Sequence, residues 1–267
     1  LGGIATALFG MRTAFVLDAF TFLLSAWFVS RVTIPPLTPE ERAQRESKSG
    51  GFLEFVDGLR YLRGRHFILV LALVKAAGSL IWGAANVLEI PLAEVLFPIR
   101  GNGTLTLGLI YAIVGLGTGF GPIFVRRWFG DDRNATLTAI TVGFICLTAG
   151  LFGIGMSTTL IWVLLFTFLR ALGTGTLWVF SSAILQRIVA ERFRGRVFAF
   201  EFAALTLAQS VSVVWAGVAQ DKLGLSVQQV FTVTAIASIF MLGLWLVFQA
   251  RNRDESDGPK KELTFES

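Results

Sequence analysis

Seven apolar blocks, each about 19 to 25 residues long, divide this chain, and that is the length a helix needs to cross the hydrocarbon core of a bilayer. They run over roughly 13–31, 67–92, 106–125, 135–156, 159–184, 197–219 and 227–249, the first being the shortest. Backbone groups in lipid must be satisfied within their own segment, so each block is expected to be an α-helix. Of the 267 residues, 54% are hydrophobic and only 15% charged, far from the balance of a soluble domain. The expected fold class is an all-α membrane protein, a multi-span helical bundle.

Charge is sorted between the connections. The segment 31–66 holds Arg31, Arg42, Arg45, Lys48, Arg60, Arg63 and Arg65, while the next connection has Arg100 alone. Arg126, Arg127 and Arg133 follow, then a turn near Ser157 with no basic residue, then Arg187, Arg192, Arg194 and Arg196. Lys222 stands alone in the next, and the tail carries Arg251, Arg253, Lys260 and Lys261. This alternation is the positive-inside pattern and puts the C-terminus in the cytoplasm. It accounts for the net charge of +5 by topology and weighs against nucleic acid as a partner.

The one long polar segment, 32–66, opens with Pro35, Pro36 and Pro39, which break helices, and continues through a charged run to Gly50 and Gly51. From Phe52 to Arg65, apolar and charged residues alternate as in a short amphipathic helix lying on the membrane surface, its basic residues toward headgroups. The tail 251–267 is charged and expected to be disordered. Residues 1–10 read as the end of a helix, with no basic n-region or cleavage site, so a longer protein is expected to precede Leu1. Cys146 is the single cysteine, so no disulfide forms within the chain, and the lone His66 sits at a helix entrance as a boundary residue.

On the block 67–92, Lys75, Ser79, Trp82, Asn86 and Glu89 fall at spacings of three or four, forming one polar stripe on an otherwise apolar helix. A lysine there is costly in lipid, so it faces protein or a water-filled cavity, or else snorkels from about 12 Å inside the span. Trp82 can stack on an aromatic or amphipathic ligand and Asn86 can hydrogen-bond it. Arg170 lies about eleven residues into its span, shares a face with Thr167, Thr174 and Ser181, and keeps its charge. It needs a carboxylate; Glu201 is one partner on offer, and an ion pair and a substrate contact both remain open. Asp18 shares a face with Ala14, Thr21 and Ser25 and is expected to point at protein. Asp18, Glu89 and Glu201 are the carboxylates within spans that can couple transport to an ion gradient.

Gly115, Gly117, Gly119 and Gly121 form two overlapping small-xxx-small pairs, which suit close helix packing or a gating contact and do not fit a dinucleotide fingerprint. Arg194, Gly195 and Arg196 are topology signals that can also latch onto Glu191, Asp131 or Asp132, or face lipid.

Taken together, four passages resemble the major facilitator superfamily, in its branch of bacterial exporters similar to enterobactin and macrolide efflux proteins. Residues 12–31 resemble the sixth span of that branch, and Phe55–Arg65, with Gly58-Leu59-Arg60-Tyr61-Leu62, its central-loop helix. Gly115–Pro122 resembles the eighth span, and Arg194–Ala199 the loop between spans ten and eleven. Gly121, Arg126, Arg127, Gly130, Asp131 and Arg133 keep the charges of the family's loop motif but not its spacing; the gate or loop candidates are Gly117, Gly121, Arg126, Arg127, Arg194, Gly195 and Arg196.

The resemblance implies the C-terminal six-helix half of a major facilitator fold plus one preceding span. Residues 1–31 would close an N-terminal bundle, 32–66 the cytoplasmic central loop, 67–250 the C-terminal bundle. It further implies a multi-pass protein of a bacterial plasma membrane that binds a small-molecule substrate near the midplane, is coupled to protons or sodium, and works with the other half of the same protein. The leading function is ion-driven export of small hydrophobic or amphipathic molecules, as an antiporter. The alternative is a non-transporting fragment or partner subunit. No nucleotide loop, metal cluster or cofactor motif is present, and one histidine and one cysteine make a poor basis for an enzyme.

Overall fold

The computed structural model describes residues 11–32, 52–101, 103–130 and 132–253, and these are helical almost throughout. The helices are α1 (Met11–Ser30), α2 (Phe52–Arg63), α3 (His66–Pro91), α4 (Gly103–Phe129), α5 (Arg133–Gly155), α6 (Leu160–Ile188), α7 (Glu191–Asp221) and α8 (Val227–Arg253). The last six are long and apolar enough to cross a membrane, with mean hydropathies of 1.7 to 2.3, and α1 is a shorter apolar helix. The expected spans therefore appear as helices. Residues 1–10, 33–51 and 254–267, on which the expectations about the helix end, the proline-rich loop and the tail fall, lie outside the described residues.

Pro91 perturbs the end of α3. Its ring nitrogen has no hydrogen to give to the turn before it. The chain widens into a π-helical turn over Leu92–Leu96, where Phe97 N–H bonds to Leu92 O at 3.1 Å, and the apolar segment runs on to residue 96.

The bundle is organised around two helices. α6 packs between α4 and α5, and α8 lies against α5. α3 packs along α7 and also touches α6 and α8, so it joins the two groups. α2 rests on α7 at one end of the bundle. The core is an apolar cluster from all of these, with Leu71, Leu88, Ile140, Phe144, Leu147 and Phe231 fully enclosed. By contrast, large side chains on α1 such as Phe15, Phe22 and Leu23 are exposed. So are Phe202 and Leu207 on α7, as on surfaces that meet lipid.

The glycine pairs of α4 divide by face. A Cβ on Gly117 would strike Ala171 and the Phe168 carbonyl, and one on Gly121 would strike the Leu172 carbonyl, so this pair is what lets α6 approach. Gly115 and Gly119 meet nothing within 4 Å. Substituting Gly121 with alanine should therefore cost about 1–3 kcal/mol by overpacking against backbone. Gly119→Ala should instead stabilise by about 0.5–1 kcal/mol, since glycine is a poor helix residue. Unfolding midpoints of the two variants in the same micelles check this sign difference.

Candidate functional site

The polar stripe of α3 faces the seam where α6 and α7 flank it. Lys75 is 5% exposed; its Nζ donates to Ser182 Oγ on α6 at 2.6 Å and lies 3.1 Å from Glu201 Oε1 on α7. The same ammonium sits 4.6 Å from the ring centroid of Trp178. One buried amine thus pins α3 to both neighbours and does not snorkel out. Fourteen residues further along α3, about 21 Å at the helical rise, Glu89 forms a buried ion pair with Arg170 of α6.

This pairing corrects the expectation that Glu201 serves Arg170. The rotation of α3 brings its own Glu89 to the arginine and leaves Glu201 for Lys75. Each cation in the apolar interior thereby meets a carboxylate, as burial of charge requires.

Between the two ion pairs lie Ser79, fully buried, and Trp82, whose indole is 5.9 Å from that of Trp178 at an interplanar angle of 35°. Three buried polar atoms of this seam have no hydrogen-bond partner among the described residues: Ser79 Oγ, Arg170 Nε and Glu201 Oε1, the last held by the ion pair with Lys75. Unmade buried hydrogen bonds are costly, so these are the groups a ligand or water would satisfy. Asn86 and Trp178 are exposed, the latter at 40%. Arg170, Thr174, Trp178 and Ser182 follow one another at intervals of four, a second polar stripe on α6 facing that of α3. Thr174 donates to the Arg170 carbonyl of its own helix at 3.1 Å and does not reach α3 by that bond.

The remaining candidates are placed elsewhere. Asp18 is exposed on α1, contrary to the expectation that it points at protein, and no described element covers it. Its neighbour Thr21 bonds only to the Asp18 carbonyl. Arg126 and Arg127 are exposed in the last turn of α4. Arg194 lies 3.8 Å from Glu191 of its own helix, one of the carboxylates expected to pair with this cluster. Gly195 faces open space. The Arg196 guanidinium lies 5.6 Å from the Phe193 ring, and its Cβ stands where Gly58 of α2 leaves room. Asp131 lies outside the described residues.

Sequence reasoning missed Trp178 and Ser182, although the spacing of four from Arg170 would have found both. It also missed a polar seam between α5 and α8. There Trp245 Nε1 donates to Thr141 Oγ1 at 2.9 Å, Thr141 donates to Gln249 Oε1 at 2.6 Å, and Ser238 donates to Thr148 at 2.8 Å. A cavity of about 720 Å³ between α5, α6 and α8 shares no residue with the α3 stripe. It is bordered by exposed apolar side chains including Ile145, Phe152, Trp162 and Ile239, and is an open groove on the lipid side.

Comparison with known proteins adds the lineage. A family model described as Major Facilitator Superfamily matches residues 1–200 and, in an overlapping stretch, 103–266. Curated relatives include the "Putative bacilysin exporter BacE" of Bacillus subtilis (strain 168) and that of Bacillus amyloliquefaciens. Each is 25% identical over 206 residues, covering 75% of this chain and 48% of the relative. The chain thus spans about half the length of the curated relatives it matches. No solved structure matches it.

Proposed function

The chain belongs to the Major Facilitator Superfamily, and from that premise we propose that it forms the C-terminal bundle, with one preceding span, of a secondary transporter exporting small hydrophobic or amphipathic molecules. In the proposed cycle two half-bundles rock about a midplane site, driven by a proton or sodium gradient. The observation that carries this reading is the facing pair of stripes on α3 and α6. They present two indoles and the unsatisfied Ser79 hydroxyl between two self-neutralised ion pairs, with Arg170 Nε and Glu201 Oε1 left without hydrogen bonds at the pairs themselves. A site with no net charge and a broad aromatic wall favours amphipathic ligands over ions. The exporter named among the relatives is consistent with outward transport, and placement within one branch of exporters belongs to this proposal. Family membership, rather than the residue inventory, sets aside the membrane-enzyme reading.

Within the proposal the bundle boundaries fall at residues 31, 66 and 250, and the basic-rich connections lie on the cytoplasmic side. Glu89 and Glu201 are the coupling carboxylates in contact with cations; Asp18 would act only against another part of the protein. Gly117 and Gly121 are packing contacts that a gate can use.

The test is flux in inside-out vesicles carrying the complete reading frame, using a panel of amphipathic dyes with and without an imposed gradient. Gradient-dependent uptake is expected, and Trp178→Ala should raise the half-saturating dye concentration about threefold to tenfold by removing one indole face. Uptake that ignores the gradient would sink the secondary-transport reading. The alternative, a non-transporting fragment or partner subunit, predicts no dye movement under either condition.

A further inference from the structure

The end of the bundle where α2 meets α7 carries a feature the transport reading does not use. Arg60 and Arg65, from the end of α2 and just beyond it, and Arg192 and Arg196, from the first turns of α7, line one pocket of about 380 Å³. Asp57 is the acidic side chain in that lining, and it lies 4.0 Å from Arg60 as an exposed i,i+3 neighbour. Among the described residues the lining carries four guanidiniums and one carboxylate, a positive balance.

Aromatic stacking fixes this arrangement. Tyr61 of α2 and Phe193 of α7 stack with ring centroids 4.2 Å apart and planes 21° from parallel. The Arg65 guanidinium lies 4.1 Å above the Tyr61 ring, and Arg192 lies 4.8 Å from that of Phe193. Guanidiniums held on ring faces lose less rotamer freedom on binding and keep their N–H edges free to fork onto an oxyanion. The pocket also adjoins the N-terminus of α7, a helix of 31 residues whose first turn has no side-chain cap. Its backbone amides add the positive end of the helix dipole to the arginines. Tyr61 Oη accepts a weak bond from Ala190 N–H at 3.5 Å, joining α2 to that terminus.

Depth decides the ligand. The pocket lies where α3 begins at His66, where α6 ends at Ile188 and where α7 begins at Glu191, so three apolar spans reach the interface beside it. Phosphate groups of lipids occupy this level of a bilayer. We propose that the Arg60–Arg65–Arg192–Arg196 pocket binds the phosphate of an anionic phospholipid headgroup, and that this lipid bridges α2 to α7. The shared chemistry is a phosphate ester oxyanion held by forked guanidiniums. The site stands on its own geometry, whether or not the chain transports anything.

The experiment is native mass spectrometry of the chain in detergent, titrated with dioctanoyl phosphatidylglycerol, dioctanoyl phosphatidylcholine, or glycerol phosphate. The anionic lipid should bind more tightly than the zwitterionic one and weaken as salt rises. Arg65→Gln and Arg192→Gln should each weaken it about fivefold and the double variant about 25-fold. Arg100→Gln, at the opposite end of the bundle, should leave it unchanged, and the Arg65→Lys/Arg192→Lys pair, which keeps the charge but loses the fork, should bind between the parent and the double glutamine variant. Equal binding of the two lipids, no salt dependence, or a double glutamine variant that binds like the parent would overturn the proposal. Glycerol phosphate binding as tightly as the lipid would assign the pocket to a soluble phosphate and overturn the lipid assignment. If the glutamine variants do not fold, the lipid preference and salt dependence of the parent chain decide the matter alone.

Discussion

Glu89→Gln is expected to lower the stability of the chain by about 3–5 kcal/mol, the cost of leaving one member of a buried ion pair without its counter-charge. The side chains of Glu89 and Arg170 are each 4% exposed, so water cannot take the place of the lost carboxylate. An arginine cannot escape by releasing its proton, and Arg170 Nε already lacks a partner. Replacing both members with apolar residues of similar volume, Glu89→Leu with Arg170→Met, should recover most of the loss, because that variant buries no charge at all. Glu191→Gln supplies the contrast. Its pair with Arg194 joins a carboxylate 90% exposed to a guanidinium 40% exposed, so stability should move by less than about 1 kcal/mol. Equilibrium unfolding of the three variants in mixed micelles reads these differences. A Glu89→Gln protein as stable as the Glu191→Gln one would mean that Arg170 has found another anion.

Much of the fold was legible because the bilayer makes length and polarity decisive. Each apolar block long enough to span became one helix, and the stripe of Lys75, Ser79, Trp82 and Glu89 was buried toward protein as its polarity required. Which acid meets which base was not legible. Lys75 and Arg170 both sit in apolar helices within reach of a carboxylate, and sequence spacing is silent on how α3 is rotated between α6 and α7. Asn86 shows the same limit: it belongs to the stripe by spacing, yet its position on the helix leaves it exposed. Pro91 predicts a disturbed helix end, but whether the chain stops or widens into a π turn depends on what packs there. Here Gly103, with Glu94 backbone and side chain where its Cβ would be, shows α4 pressed against that turn. The basic pocket escaped for a different reason. Arg60, Arg65, Arg192 and Arg196 come from two segments more than 120 residues apart, and a topology rule explains each arginine singly without bringing them together.

The second large effect concerns the opposite end of α3. Lys75→Met should cost about 3–5 kcal/mol by stranding Glu201, whose side chain is 4% exposed. Glu201→Gln should sit at the lower end of that range, about 3 kcal/mol. Its lysine keeps the Ser182 hydroxyl at 2.6 Å and the Trp178 ring at 4.6 Å, partners that Glu201 does not have in return. A double-mutant cycle on Lys75 and Glu201 should give a coupling energy of at least about 1 kcal/mol, as contacting buried groups do. The apolar pair Lys75→Met with Glu201→Leu should regain most of the stability. That double variant also separates the two roles the pair can hold. If the ion pair only fastens α3 to α7, the variant folds and moves dye along a gradient like the parent. If breaking and remaking the pair is a step of the proposed cycle, the variant folds equally well and gradient-driven flux is lost. The second result is expected, because the ammonium touches α6 and α7 together. Any shift of α6 against α7 inside this bundle must release one contact, and a pair of apolar side chains offers no charge for an ion gradient to act upon.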